Sequence, residues 1–155
     1  MALVVQKFGG TSMGSVERIK NAAERSLATA REGHKVVVIV SAMSGETNRL
    51  VKLAYDIDPE PVSREYDMLL ASGEQVSTAL VALALNKTGC PARSFLAHQI
   101  DLRTDATYSR ARIESIGEGI LRRSLERGEV PVVAGFQGID HEGNITTLGR
   151  GGSDT

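Results

Sequence analysis

The chain has 155 residues, with 18 lysines and arginines against 19 aspartates and glutamates and a formal net charge of −1 at pH 7. This balance gives no electrostatic case for nucleic acid or an anionic membrane as a partner. Aromatic residues make up only 4%, without tryptophan, which also argues against a base-stacking surface. Cys90 is the single cysteine, so an internal disulfide framework is excluded and a reducing compartment is favoured. We find neither a signal-peptide pattern nor an apolar run long enough to span a bilayer, and we expect a cytoplasmic protein.

The first dozen residues combine a strand, a lysine and a glycine turn. A short apolar run from residue 3 predicts a buried strand, Lys7 stands near its end, and Gly9, Gly10 and Ser12 follow. Glycines let backbone N–H groups face a ligand, and the N-terminus of a following helix adds partial positive charge. The pattern indicates a phosphate-binding turn, and the alternative is an ordinary strand-to-helix connection.

Predicted helices and strands alternate along the rest of the chain. We expect helices over residues 16–30, 50–55, 63–87 (interrupted at 72–74) and 110–127. We expect strands over residues 35–40, 92–96, 130–134 and 145–148, and strand pieces within 99–108. This alternation predicts an α/β fold, a three-layer αβα sandwich with a mainly parallel sheet.

Polar or glycine-rich loops follow four of the predicted strands. They are the Lys7 turn and the segments 41–47, 135–138 and 149–154. Ligands of parallel sheets bind at the carboxyl ends of the strands, so we expect these loops to meet at one edge.

The last of these loops holds Arg150 between glycines, and an arginine in such a loop offers a fork for a carboxylate or a phosphate. The alternative is a flexible tail at a chain end. Ser153 and Asp154 are residue types that cap helices, yet no helix follows them. We therefore expect the sequence to be a fragment of a longer one.

Two further residues have both a binding and an ordinary interpretation. Glu74 stands in an apolar helical stretch, where it could recognise a cationic amine or be a solvated acid at the start of a helix that Ser72 caps. Thr47 could bind a substrate carboxylate or cap a helix that begins near Asn48. Three histidines show no metal-ligand spacing, and no metal-binding residue is assigned. The glycine spacing disfavours a dinucleotide-binding oxidoreductase.

Five segments resemble the signature blocks of aspartate kinases, which are members of the amino acid kinase family. They are residues 7–12, 40–43, 72–74, 135–138 and 146–154, in the order that the family has them. The resemblance implies a truncated amino acid kinase fold. It assigns residues 1–155 to the N-terminal, amino-acid-substrate portion of the kinase domain, without the nucleotide-binding half or the ACT regulatory domains. We expect such a fragment to be inactive, or nearly so, on its own.

The resemblance also implies a reaction, with ATP and Mg²⁺ as its cofactors. The phosphoryl group of MgATP passes to the side-chain carboxylate of L-aspartate, giving 4-phospho-L-aspartate on the route to lysine, threonine and methionine. A homo-oligomer is expected. The open alternative is a non-catalytic module of the same fold that binds a carboxylate or phosphate.

The matching positions imply roles for individual residues. Lys7 stabilises the transferring phosphoryl group, and Asp154 positions that lysine. The phosphate-binding positions are Gly9, Gly10 and Ser12. The substrate-binding positions are Thr47, Glu74, Arg150 and Ser153, with Glu74 facing the amino group and Arg150 clamping a carboxylate.

Overall fold

The computed structural model describes residues 1–149. The strands in this part are β1 (Leu3–Phe8), β2 (Lys35–Val40), β3 (Ala92–Phe95), β4 (Leu102–Thr104), β5 (Ile113–Ile116), β6 (Val130–Ala134), β7 (Gln137–Ile139) and β8 (Ile145–Thr147). The α-helices are α1 (Val16–Arg31), α2 (Glu46–Ile57), α3 (Ser63–Lys87) and α4 (Gly119–Glu126). Short 3-10 helices cover Gly10–Met13 and Ala97–Ile100.

Four strands form a parallel sheet in the order β1-β2-β6-β3. Strand β2 lies inside the sheet because its β-branched residues after Lys35 are buried or nearly so, as in a strand covered on both faces. Strand β1 pairs with it along its whole length, starting with Leu3 opposite Lys35. The predicted α/β fold with a mainly parallel sheet is confirmed.

Helices cover both faces of this sheet. On one face, α1 and α3 pack through a buried cluster that includes Leu27, Val38 and Leu85. On the other face, Val37 belongs to a second cluster, against which the partly buried Leu121 of α4 packs. Successive residues of β2 thus point into two separate cores, as the two-residue period of a strand requires. The expected three-layer arrangement is present.

A second sheet has the order β5-β4-β7-β8 and mixed strand directions. Strands β7 and β8 form an antiparallel hairpin, and β8 packs against α3. The buried carboxylate of Asp140 closes the hairpin turn by accepting hydrogen bonds from the N–H groups of Glu142 and Asn144, both at 2.9 Å. The strand expected over residues 145–148 is therefore found, and the hairpin brings its end back to α3.

The helix predicted over residues 110–127 is wrong in its first half, which forms β5. Strand β5 pairs with β4, and Ile116 lies opposite Leu102. Gly117 then passes close to the preceding segment, because an added Cβ would lie 2.9 Å from the carbonyl oxygen of Ile100. Strand pairing thus overrides an apolar spacing that also fits a helix face.

The interruption predicted at residues 72–74 is also wrong, because α3 is continuous there. The Ser72 hydroxyl donates to the Leu69 carbonyl at 2.7 Å within the helix. Gly73 permits close packing, since an added Cβ would lie 2.9 Å from Cβ of Ala42. The glycine therefore marks a helix contact and not a helix break.

Helix α3 has 25 residues and, by length and composition only, is apolar enough to cross a membrane. The expectation that no apolar run is long enough to span a bilayer is therefore wrong on length and composition. In the structure, α3 packs against both sheets and buries Asp67 and Glu74. Buried, hydrogen-bonded carboxylates facing strands are typical of a core helix.

We expect Gly138→Ala to destabilise the fold by about 1–3 kcal/mol, because a side chain there overpacks the core. Its Cβ would lie 2.2 Å from Cγ2 of Thr104, which is fully buried and cannot move aside. The temperature of thermal unfolding measures the effect. Gly119→Ala is the matched control, since its Cβ would meet only the flexible Arg123 side chain at 3.3 Å. Equal unfolding temperatures for the two variants would contradict this packing.

Candidate active site

A cleft of about 620 Å³ opens at the carboxyl edge of the parallel sheet. Three of the four predicted loop regions contribute to its lining, and Leu148 lines it just before the fourth, most of which lies outside the described residues. Lys7 comes from the end of β1, Ser41 follows β2, Phe136 follows β6, and Leu148 follows β8. The rule that ligands bind beyond the carboxyl ends of parallel strands locates this cleft as the candidate site.

The predicted phosphate-binding residues divide between two cavities. Lys7 and Gly10 line the cleft, whereas Ser12 lines a smaller cavity of about 280 Å³ that also contains Arg18. Gly9 precedes the short 3-10 helix, and its carbonyl accepts the N–H of Ser12 at 3.0 Å. The residues of this turn are therefore neighbours in the sequence, but they do not all line the same cavity.

Helix α1 begins at Val16, as predicted from the sequence. Ser15 caps α1, and its hydroxyl oxygen accepts the N–H of Arg18 at 3.2 Å. Between Lys7 and that cap lies the 3-10 helix Gly10–Met13. Gly10 and Thr11 of the turn therefore line the cleft, whereas residues 16–19, the first turn of α1, do not.

Glu74 lies in the middle of α3, and its side chain is only 2% exposed. Oε1 accepts the N–H of Ala42 at 3.1 Å, while Oε2 is buried and has no hydrogen-bond partner among residues 1–149. Burial raises the pKa of this carboxyl to about 7, although the N–H of Ala42 and a further backbone hydrogen bond favour the ionised form. The interpretation of Glu74 as a solvated acid at a helix start is therefore wrong. Its unsatisfied oxygen needs a donor.

Contacts with α3 fix the loop after β2. The Ser77 hydroxyl donates to the carbonyl of Ser41 at 2.7 Å. This hydrogen bond lies next to the one that the N–H of Ala42 donates to Glu74. Gly45 then adopts a φ of 80° at the start of α2, a conformation that suits glycine. Thr47 lines the cleft as the second residue of α2, so its interpretation as the cap of a helix near residue 48 is wrong.

Ser109 lines the cleft but was not singled out from the sequence. It has a φ of 68°, which is uncommon outside glycine, and so does Phe136 of the predicted loop 135–138, which also lines the cleft. Ser109 is held by Asp67, a fully buried acid of α3. The available signal was the spacing of Asp67 and Glu74, because seven residues place two acids on the same face of a helix.

The remaining predicted residues, Arg150, Ser153 and Asp154, lie outside the described residues. Within residues 1–149 there is no group of three or more histidine, cysteine or acidic side chains that could hold a metal ion. The described cleft therefore offers one lysine, one carboxylate, hydroxyl groups and backbone N–H groups. That set suits binding of a small zwitterion and of phosphate oxygens.

Comparison with known proteins finds close relatives. The chain is 56% identical over 155 residues to an aspartokinase of Pseudomonas aeruginosa, covering 100% of this chain and 38% of that protein. The crystal structure of aspartate kinase from Synechocystis matches with a TM-score of 0.83 and 47% identity, over 100% of this chain and 25% of that one. Aspartokinase III of E. coli, in complex with aspartate and ADP, matches with a TM-score of 0.85 and 25% identity, over 99% of this chain and 45% of that one.

The chain spans 38% of the length of the curated relatives that it matches. The model of the amino acid kinase family matches residues 2–155, which is nearly all of the sequence. The structure agrees in fold with these solved relatives. The chain belongs to the amino acid kinase family.

Proposed function

We propose that this protein is an aspartate kinase, which transfers a phosphoryl group from MgATP to the side-chain carboxylate of L-aspartate. The observation that carries the proposal is the presence, in one cleft, of Lys7 and of a buried Glu74 carboxylate with one unsatisfied oxygen. Relatives named aspartokinase, at 50% to 56% identity, support it. The product, 4-phospho-L-aspartate, leads to lysine, threonine and methionine.

Glu74 recognises the α-ammonium group of aspartate. Its Oε1 is already engaged by Ala42, so Oε2 is the atom that remains for a ligand. An ammonium group in the cleft satisfies that oxygen with a charge-assisted hydrogen bond, which is stronger than a neutral one. The Thr47 hydroxyl donates to a substrate carboxylate from the opposite end of the loop. Arg150 and Ser153 complete the substrate site, an assignment that rests on the sequence resemblance.

The transfer itself requires little covalent chemistry from the protein. An ionised carboxylate oxygen of aspartate attacks the γ-phosphorus of ATP, the bond to the β,γ-bridging oxygen breaks, and ADP leaves with that electron pair. No general base is needed, because the attacking carboxylate is already deprotonated near neutral pH. Positioning and positive charge then dominate catalysis.

Lys7 supplies that charge at the transferring phosphoryl group. By the sequence resemblance, phosphate oxygens are bound by the backbone N–H groups at Gly9 and Gly10 and by the Ser12 hydroxyl, and of these three residues Gly10 lines the cleft. Asp154 positions Lys7, again by resemblance. A lysine ammonium is a compact charge with three donors, which suits an oxygen cluster that changes shape during transfer.

Mg²⁺ enters with ATP and offsets the charge of its phosphates. The described residues provide no dedicated metal cage. These residues are compatible with an ion that is held mainly by nucleotide phosphates and water. Such an ion needs only one or two protein carboxylates. The residues of the described cleft therefore act on the substrate and on the phosphoryl group.

We also propose that the enzyme works in the cytoplasm as a homo-oligomer. The single, unpaired and buried cysteine, Cys90, is consistent with a reducing compartment. Exposed apolar side chains on α1 and α3, such as Val16 at 57% and Leu83 at 65%, support a further covering surface on these helices.

We expect Lys7→Ala in the full-length product of the gene to lower kcat by about 10²–10³-fold, since a preorganised charge of this kind contributes about 3–4 kcal/mol. Steady-state kinetics with ATP and aspartate measures it. Lys35→Ala is the matched control, because Lys35 is exposed at the opposite edge of the same sheet. Wild-type turnover in Lys7→Ala would exclude the assigned role. Binding of aspartate without turnover in the wild-type protein would instead favour a non-catalytic module.

We expect the affinity for aspartate to fall by up to about tenfold per pH unit as the pH drops below 7. The pKa of Glu74 is about 7 in the empty cleft, so binding of the ammonium group at lower pH requires the loss of a proton. Glu74→Gln should weaken binding and flatten this pH dependence of KM between pH 6 and 8. Glu65 is an exposed acid on the same helix, and Glu65→Gln should leave both the binding of aspartate and the pH dependence of KM unchanged. A flat profile in the wild type would contradict the assignment.

Glu74→Gln should stabilise the ligand-free protein at pH 8. The folded-state pKa of Glu74 lies above its ordinary value of 4.5, so the folded state binds more protons than the unfolded one between those values. The stability contributed by this group therefore falls as pH rises from about 4.5 to 7. Glu74→Gln removes this effect, and at pH 8 we expect a gain of up to about 3 kcal/mol in unfolding free energy. Lower stability than wild type at pH 8 would show that the carboxylate is instead needed by the fold.

A further inference from the structure

Asp67 is a fully buried acid of α3 with four hydrogen-bond donors around it. Its Oδ2 accepts the backbone N–H groups of Ser109 at 3.0 Å and of Thr147 at 2.7 Å. Its Oδ1 accepts the hydroxyl groups of the same two residues at 3.2 Å and 3.0 Å. One side chain thus binds two segments that are 38 residues apart in the sequence.

All four donors are uncharged, so within residues 1–149 the carboxylate is held by hydrogen bonds alone. Four such bonds suffice to compensate a buried carboxylate, whose two oxygens have about four acceptor sites. The arrangement leaves Asp67 no acceptor site directed at a ligand, and Asp67 is absent from the lining of the cleft. Any effect on the site must therefore pass through Ser109 and Thr147.

Both partners of Asp67 lead directly into the cleft. Ser109 lines it with a φ of 68°, an unfavourable backbone conformation for a serine that needs support from its surroundings. Thr147 precedes Leu148, which also lines the cleft and whose N–H donates to the carbonyl of Phe136 at 2.8 Å. The N–H of Ala111 donates to the carbonyl of Thr147 at 3.0 Å and joins the two segments to each other.

We propose that Asp67 is a positioning residue, which holds the Ser109 and Thr147 segments as the fixed wall of the aspartate site. The inference rests on the proposed function for its substrate. It assigns the recognition of aspartate to Glu74 and the placement of the opposite wall to a second acid on the same helix. The chain that Asp67 fixes at Thr147 also leads, three residues later, to Arg150.

Two substitutions separate positioning from a role of the negative charge. Asp67→Ala removes all four bonds. Asp67→Asn can keep four, because its carbonyl accepts both N–H groups while its amide donates to the two hydroxyl oxygens, which accept as readily as they donate. We expect Asp67→Ala in the full-length gene product to raise KM for aspartate about 10–100-fold, since small misplacements at a site have effects of that size. We expect Asp67→Asn to stay near wild type, and KM for ATP to change little in either variant.

Leu85→Ala is the control for general destabilisation. Leu85 is fully buried in the core on the same helix and does not line the cleft. Leu85→Ala should lower the unfolding temperature without changing KM for aspartate. An equal rise of KM in Leu85→Ala and Asp67→Ala overturns the proposal, and so does an Asp67→Asn variant as impaired as Asp67→Ala. Should Asp67→Ala not fold, the double variant Ser109→Ala with Thr147→Val removes only the two hydroxyl bonds and should raise KM in the same direction.

Hydrogen exchange provides a measurement that is independent of aspartate kinase activity. The amides of Ser109 and Thr147 should exchange faster in Asp67→Ala and at the wild-type rate in Asp67→Asn. Unchanged protection in Asp67→Ala overturns the positioning role even if the wild-type enzyme phosphorylates aspartate. Conversely, a wild-type protein that does not phosphorylate aspartate refutes the proposed function, and loss of protection in Asp67→Ala alone then still establishes the fixed wall.

Discussion

A row of polar groups along one face of α3 holds the walls of the cleft in place. Asp67 binds the Ser109 and Thr147 segments, and the carbonyl of Ala71 accepts the side-chain amide of Gln137 at 2.9 Å. Glu74 accepts the N–H of Ala42. The spacing of four and then three residues puts these groups on one side of the helix. A single rigid element therefore sets the distances between loops that come from distant parts of the sequence.

Close packing brings the donors and acceptors of these hydrogen bonds within bonding distance. Gly73 stands beside Glu74 and lets α3 approach the loop after β2, where an added Cβ would lie 2.9 Å from that of Ala42. Buried polar groups are costly unless they are paired, so the contacts have to form together as the helix docks. The loops are consequently fixed by the same packing that builds the core, and the cleft can exist without a bound ligand.

The sequence predicts what depends on local pattern. The β-branched run of β2 and the rule for parallel sheets were enough to expect a three-layer fold and loops that converge at one edge. The failures have tertiary causes. Residues 113–116 carry an apolar spacing that fits a helix, and only their pairing with β4 makes them a strand. From the sequence alone, Gly73 indicates a helix break, and only its close contact with Ala42 in the structure explains why a glycine stands there. Ser109 gives no local signal, because its conformation is imposed by an acid 42 residues away.

The two buried acids of α3 illustrate how similar residues acquire different roles. Asp67 has four donors and none of its acceptor capacity is left for a ligand, so it belongs to the framework. Within the described part of the chain, Glu74 has one backbone donor from the loop and one oxygen without a partner, and burial raises its pKa to about 7. An unpaired buried oxygen costs stability in the empty protein, and a cationic ligand recovers that free energy on binding. The difference in hydrogen bonding, and not the residue type or its position in the sequence, distinguishes the supporting acid from the recognising one.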